Sequence, residues 1–228
     1  MISNRVFIVQ MPRLGVILYL IFTSISIIFY AGGTVRNPDT LGYSFTQNFF
    51  SDLGKLSTDN FLAMIFFSGS LFVVGITFSI YFYYLMKSYN NDSLGIIAKI
   101  GSGLGIIGAI CFIGVGFTPH NVLFTPHIFF VNWAFRSFLL SSLLLSIALF
   151  KDVRLPSRYG VGYLFFAISI FFYILVLEFA PKPELSEISL IFNVLAQKAI
   201  VLIFLLSCLL YTSPSPRDLS TSRMPSSA

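Results

Sequence analysis

Long apolar runs separated by short polar breaks organise this chain. The runs cover residues 14–31, 61–86, 94–117, 128–150 and 159–179, and a sixth starts at residue 188. Each approaches or exceeds the roughly 20 residues that carry an α-helix across a bilayer. The pattern predicts an all-α polytopic membrane protein, a bundle of six transmembrane helices. The first run has a second reading as a cleaved signal sequence, with Ala31-Gly32-Gly33 as the small-residue site. It is longer than the usual apolar region of about 7–15 residues, so a retained anchor is expected.

The breaks carry helix signals. Ser57-Thr58-Asp59-Asn60 offers N-caps before the second span. Thr125-Pro126 reads as an N-cap followed by proline at the first helical position of the fourth. Pro119 and Pro181 close the third and fifth spans. In the third span Gly101, Gly105 and Gly108 fall on one face, where small residues let helix backbones approach closely. A phosphate-cradling glycine loop would need a strand before it, and these glycines lie inside an apolar helix. In the first long break, Phe45, Phe49 and Leu53 recur at i, i+4 and i+8, which predicts a short amphipathic helix ending at Gly54. Asp52 then projects beside Asn48 toward the protein, where its plain role is to pin the loop through a cap or a salt bridge.

Composition agrees with the runs. Of 228 residues, 56% are hydrophobic and only 10% are charged, where soluble domains carry roughly 25% charge. That excludes a disordered chain, and two cysteines exclude a disulfide-stapled secreted domain. Loop charges orient the bundle. Arg5, Arg13, Lys87, Lys99, Lys151, Arg154 and Arg158 flank one side, and Arg36, Lys55 and Lys182 the other. The positive-inside bias puts both chain ends in the cytoplasm. It also puts the Asn91-Asp92-Ser93 sequon on the cytoplasmic side, where a glycan has no role.

The chain from residue 208 to 228 resembles a translated sequencing adapter. Back-translated, residues 208–218 give one frame of a transposase-type adapter, and residues 222–228 give a flow-cell primer in the same frame. The expectation is a genuine six-helix domain over residues 1–207, with an adapter-derived segment after Ser207. Arg217, Arg223 and Asp218 leave with that segment, which lowers the formal charge from +5 to +4. The remaining basic excess reads as topology, with no affinity for nucleic acid implied.

Ionisable groups at bilayer depth are costly and mark sites. Arg136 lies nine residues into the fourth span and Lys198 about as deep in the sixth, ~14 Å at 1.5 Å per residue. Both are expected to face the bundle interior. Asn132 precedes Arg136 by four, and Asn193 precedes Gln197 by four, beside Lys198. Each helix therefore presents an amide-plus-cation stripe. No acid lies at that depth; the nearest are Asp52 and Glu178. The plain reading is an ion-pair network joining loop and helices. The functional one is a cavity for a lipid phosphate or carboxylate, which the planar fork of Arg136 suits.

His120 and His127 lie on the same outer side as Asp52. The three supply an Asp/His/His set of zinc-ligand type, able to activate water if one position stays open. Their spacing matches no standard metal motif, and neither zinc nor any other cofactor is expected. Without metal the set retains acid–base capacity, with Ser44 and Ser51 as the available nucleophiles. Cys111 reads as packing.

The sequence resembles the prokaryotic six-helix membrane family catalogued as "domain of unknown function 998". The resemblance rests on Tyr43-Ser44, Asn48 and Ser51-Asp52-Leu53-Gly54 before the second span. It also rests on Gly114-Val115-Gly116-Phe117-Thr118-Pro119, His127 at the start of the fourth span, and Gln197-Lys198 in the sixth. It is more distantly similar to the Frag1/DRAM/Sfk1 class. The resemblance implies a six-helix membrane fold with no agreed activity, and it groups Asp52, His127 and Lys198 as a shared site.

The leading expectation is an integral protein of the prokaryotic cell membrane that binds a membrane lipid or other anionic group. Its outward-facing polar cavity would be lined by Asp52, His127, Asn132, Arg136, Asn193, Gln197 and Lys198. The balance leans away from an enzyme. The alternative is a metal-dependent or acid–base lipid hydrolase using Asp52, His120 and His127. A small transporter comes third, since no internal repeat or pair of broken helices is visible.

Overall fold

The computed structural model describes residues 6–211, with side chains described to residue 208. Six helices carry the fold: α1 (Met11–Ile28), entered through one π-helical turn at Val6–Gln10, α2 (Phe61–Lys87), α3 (Ser93–Phe117), α4 (Phe124–Lys151), α5 (Arg158–Phe179) and α6 (Glu187–Tyr211). All six are long and apolar enough to cross a membrane. The protein is therefore an all-α, multi-pass membrane protein, with no strand among the described residues. The expected end at Ser207 falls within α6, and residues 212–228 of the adapter-like tail lie outside the described residues.

Consecutive helices pack side by side, and α1 meets α6 to close the ring along a much thinner seam. Lipid-facing positions such as Ile17, Phe72, Ile107, Leu140, Phe172 and Leu202 stay exposed while their helices remain apolar throughout. That is how a helix looks when lipid is its solvent on one side and protein on the other. Phe204 of α6 anchors the centre. Its ring lies 5.0 Å from Phe78, 5.6 Å from Phe138 and 5.5 Å from Phe166. The glycines of α3 work by proximity, as expected. A Cβ on Gly105 would sit 2.6 Å from the Phe82 ring, so only glycine allows that contact.

The boundaries follow the sequence closely, with three corrections. Asn60 occupies the N-cap position of α2 but makes no capping bond. Its side chain instead donates to the Leu53 and Lys55 carbonyls, which ties the outer loop to the helix start. α4 begins at Phe124, so Thr125 and Pro126 lie inside its first turn, where a missing N–H costs nothing. The helix expected over Phe45, Phe49 and Leu53 does not form. Phe49 is extended, and only a 3-10 turn, Phe50–Gly54, follows it. One turn does close, Asn48 N–H to the Ser44 carbonyl at 3.0 Å, but the next two N–H groups bond side chains instead of the preceding turn, Phe49 to Asp52 and Phe50 to Gln197. Gly54 does not stop the turn through a left-handed backbone; a Cβ there would meet the Phe67 ring at 2.8 Å.

Candidate functional site

The outer break folds back as a strap over the mouth of the bundle, and Asp52 is its hub. Its side chain is 1% exposed. Oδ2 accepts from the Asn48 amide at 3.1 Å and the Phe49 N–H at 2.9 Å. Oδ1 lies 3.3 Å from the Lys55 ammonium and 3.2 Å from His120 Nε2. The His120 contact is close but does not have the geometry of a hydrogen bond. Burial works against the charged carboxylate, yet the His120, Lys55 and Asn48 partners together outweigh it and hold the acid below its ordinary range. Both oxygens are engaged, which makes Asp52 the pin of the strap rather than a free base.

Asn48 extends the network. Fully buried, it donates to the Gly33 carbonyl at 2.9 Å as well as to Asp52. Lys55 reaches the same Gly33 carbonyl and the Tyr30 hydroxyl, each at 3.2 Å. The backbone carbonyl of Asn48 then accepts from two donors on the other side, the Tyr43 hydroxyl at 3.2 Å and Lys198 Nζ at 2.6 Å.

Lys198 is the unusual group. It is 6% exposed, and no carboxylate among the described residues comes within ion-pair distance. Its ammonium lies 5.3 Å from the Tyr43 ring centre and 5.1 Å from those of Phe45 and Phe50. Ring faces stabilise a cation by a fraction of what a carboxylate supplies. One of its three protons has the Asn48 carbonyl, and the remaining two have no acceptor among the described residues. Burial and proximity to Asp52 push the Tyr43 phenol well up, so it stays a proton donor and offers Lys198 no charge.

Below Lys198 a groove of about 420 Å³ follows the seam between α1 and α6. Leu20, Ile27, Leu195, Leu202 and Leu205 line it, with the three rings around Lys198 at its head. One cation at the top of an apolar channel is thus the geometry at this seam.

The remaining expected site residues separate from it. Arg136 does not face the interior. Its side chain is 38% exposed and pairs with Glu178 across α4 and α5, with a second bond to the Asn132 carbonyl. Asn132 contributes only that carbonyl. Asn193 holds the α5–α6 turn by donating to the Pro181 carbonyl at 2.9 Å. Gln197 accepts the Phe50 N–H at 2.8 Å and so docks the strap on α6. His127 is buried, with Nδ1 2.7 Å from the Thr118 carbonyl, an acceptor that requires the proton on Nδ1. Its ring centre lies 5.8 Å from that of His120. Among the described residues no three His, Cys, Asp or Glu side chains come together as metal ligands, so Asp52, His120 and His127 do not form the three-ligand set. The sequence reading missed Tyr43, Phe45 and Phe50 as neighbours of Lys198. A lysine without a matching acid, near a ring-rich loop, was the available signal.

No family model matches the chain, and no curated protein or solved structure matches it significantly.

Proposed function

We propose that the protein binds an anionic lipid along the α1–α6 seam, head group at Lys198 and chain in the groove below. The observation that carries this is the buried Lys198 ammonium, with two unused protons and no carboxylate, placed at the head of an apolar channel. The charge balance supports it. Asp52 stands against both Lys55 and Lys198, which leaves one positive charge over where both lysines are ionised, before His120 is counted. A cation at this depth costs several kcal/mol unless something compensates it, and a lipid carboxylate or phosphate would supply two or three acceptors at once. The apolar groove favours an amphiphile over a free inorganic anion. The reading keeps Lys198 and the strap from the expected cavity and releases Arg136, Asn132 and Asn193. The loop charges favour an outward-facing strap, and the resemblance of Ser51-Asp52-Leu53-Gly54 and Gln197-Lys198 to the six-helix family supports a prokaryotic cell membrane as its location.

The test uses delipidated full-length protein, reconstituted with equal parts of an anionic and a zwitterionic phospholipid of the same chains. Mass spectrometry of the re-extracted complex should find the anionic lipid enriched about tenfold, the effect of one charge-assisted contact of ~1.5 kcal/mol. Equal retention of the two would overturn the reading, and inorganic phosphate displacing the lipid would show that the groove contributes nothing.

A further inference from the structure

A second cavity lies inside the bundle, apart from the seam. It has a volume of about 90 Å³. Its walls are hydrocarbon and aromatic, with Phe112, Phe135, Phe138, Phe166 and Phe204 prominent among them. Tyr19, Phe50, Val201 and Leu205 border both spaces and form the wall between them. Besides the Tyr19 phenol in the shared wall, the residues of this lining with polar side-chain ends are Ser51, His127 and Gln197. All three belong to the outer end: Ser51 to the strap, His127 to the first turns of α4, and Gln197 to the part of α6 that receives the strap.

Each of these groups has capacity left over, and the protein fixes which kind. His127 spends Nδ1–H on the Thr118 carbonyl, so in the neutral ring Nε2 is an acceptor. Gln197 spends its oxygen on the Phe50 N–H, so its two amide protons remain as donors. The Ser51 hydroxyl has no partner among the described residues and can serve either way. No side chain of the lining is ionised when His127 is neutral. Water alone fits the space badly. The volume equals the share of about three waters, each needing 2–4 polar partners, and apart from the Tyr19 phenol the partners cluster at one end.

We infer that this chamber is a binding site for an uncharged alcohol with a compact hydrocarbon body. Its hydroxyl donates to His127 Nε2 and accepts from the Gln197 amide or Ser51, while the body packs against the rings. A carboxylate is disfavoured, because it would enter a site without a cation and face the lone pair of His127. A plain hydrocarbon would leave all three polar ends unpaired, each a cost.

The experiment uses wild-type full-length protein and a diazirine-bearing short-chain alcohol of about four carbons as the photolabel, with the labelled residues read by mass spectrometry. Labels are expected on chamber residues such as Phe135 and Ile200. Unlabelled alcohol should compete at least about fivefold better than the alkane of equal length, as one retained hydrogen bond of ~1 kcal/mol requires. Equal competition by the alkane, or by the carboxylate, would overturn the assignment, as would labels confined to lipid-facing positions such as Phe172. Gln197→Leu and the milder Ser51→Ala should each reduce the preference for alcohol over alkane. Arg136→Met, on the α4–α5 surface away from the chamber, should leave chamber labelling unchanged, and loss of labelling in that variant would overturn the assignment.

Discussion

Arg136 and Lys198 begin from equivalent positions and end in opposite environments. Each lies on an apolar helix at similar depth below the outer surface, one turn from an amide. Arg136 turns to the α4–α5 surface, where Glu178 reaches it from the end of the neighbouring helix. Lys198 turns into the bundle, where Asn48 supplies a backbone carbonyl and three rings supply π-faces. The difference lies in what stands opposite. Glu178 sits at the end of α5 within reach of a long guanidinium. The acid nearest Lys198 is already shared by Lys55, His120, Asn48 and Phe49. Depth alone therefore does not mark a binding site. The proposed site rests instead on a deep cation whose counter-charge is already committed elsewhere.

The contrast breaks most violently at the strap. Asp52→Ala removes the shared acid and leaves the Lys55 cation and the buried Asn48 amide short of a partner. A loss of about 3–5 kcal/mol is expected, read as a large fall in the thermal unfolding midpoint in detergent. A shift within the scatter of repeat measurements would mean that the strap is not held by this hub.

Lys198→Met sharpens the comparison on the other side. The Asn48 carbonyl keeps the Tyr43 hydroxyl, so no buried acceptor is orphaned. Stability should stay within about 1 kcal/mol of wild type, measured in the same unfolding assay. A loss as large as that of Asp52→Ala would make Lys198 a structural member of the strap.

Arg136→Met is the matched control. The pair with Glu178 is more than a third exposed on both sides, and such pairs contribute about 0–1 kcal/mol. The change should be small both in stability and in bound lipid.

The smallest effect concerns pH. The Asp52 carboxyl is held below its ordinary range, so its contribution is complete above the unfolded value near ~3.9 and is lost as pH falls through the lower folded value. Between pH 7 and 5 the Asp52-dependent difference, wild type minus Asp52→Ala, should not shrink. A difference that shrinks within that window would place the folded carboxyl above its ordinary range and contradict the hub.

Much of this was legible beforehand, and the reasons are physical. The six spans follow from run length, because lipid imposes a helix on any long apolar stretch. Asp52 pointing inward beside Asn48 was legible too, since a turn of either kind keeps residues three or four apart on one side. The helix through Phe45, Phe49 and Leu53 was misread because an i, i+4, i+8 pattern cannot register that the Phe49 and Phe50 N–H groups go to the side chains of Asp52 and Gln197. Glu178 was legible as one of the two acids nearest Arg136, but the side of the helix was misread, because the two lie 42 residues apart on neighbouring helices and the reach of two long side chains does not show in spacing. The rings around Lys198 come from the loop, and only the folded strap brings them to α6. Thr118 holding His127 lies across the α3–α4 connection, where the paired Thr-Pro-His sequences hid which histidine was tied and which faced Asp52.

The decisive measurement compares bound lipid in wild type, Lys198→Met and Arg136→Met, purified in parallel from the same membranes and counted by native mass spectrometry. The account predicts that anionic lipid stays with wild type and Arg136→Met and falls about tenfold in Lys198→Met. Equal anionic lipid on all three proteins, or a loss confined to Arg136→Met, would contradict it.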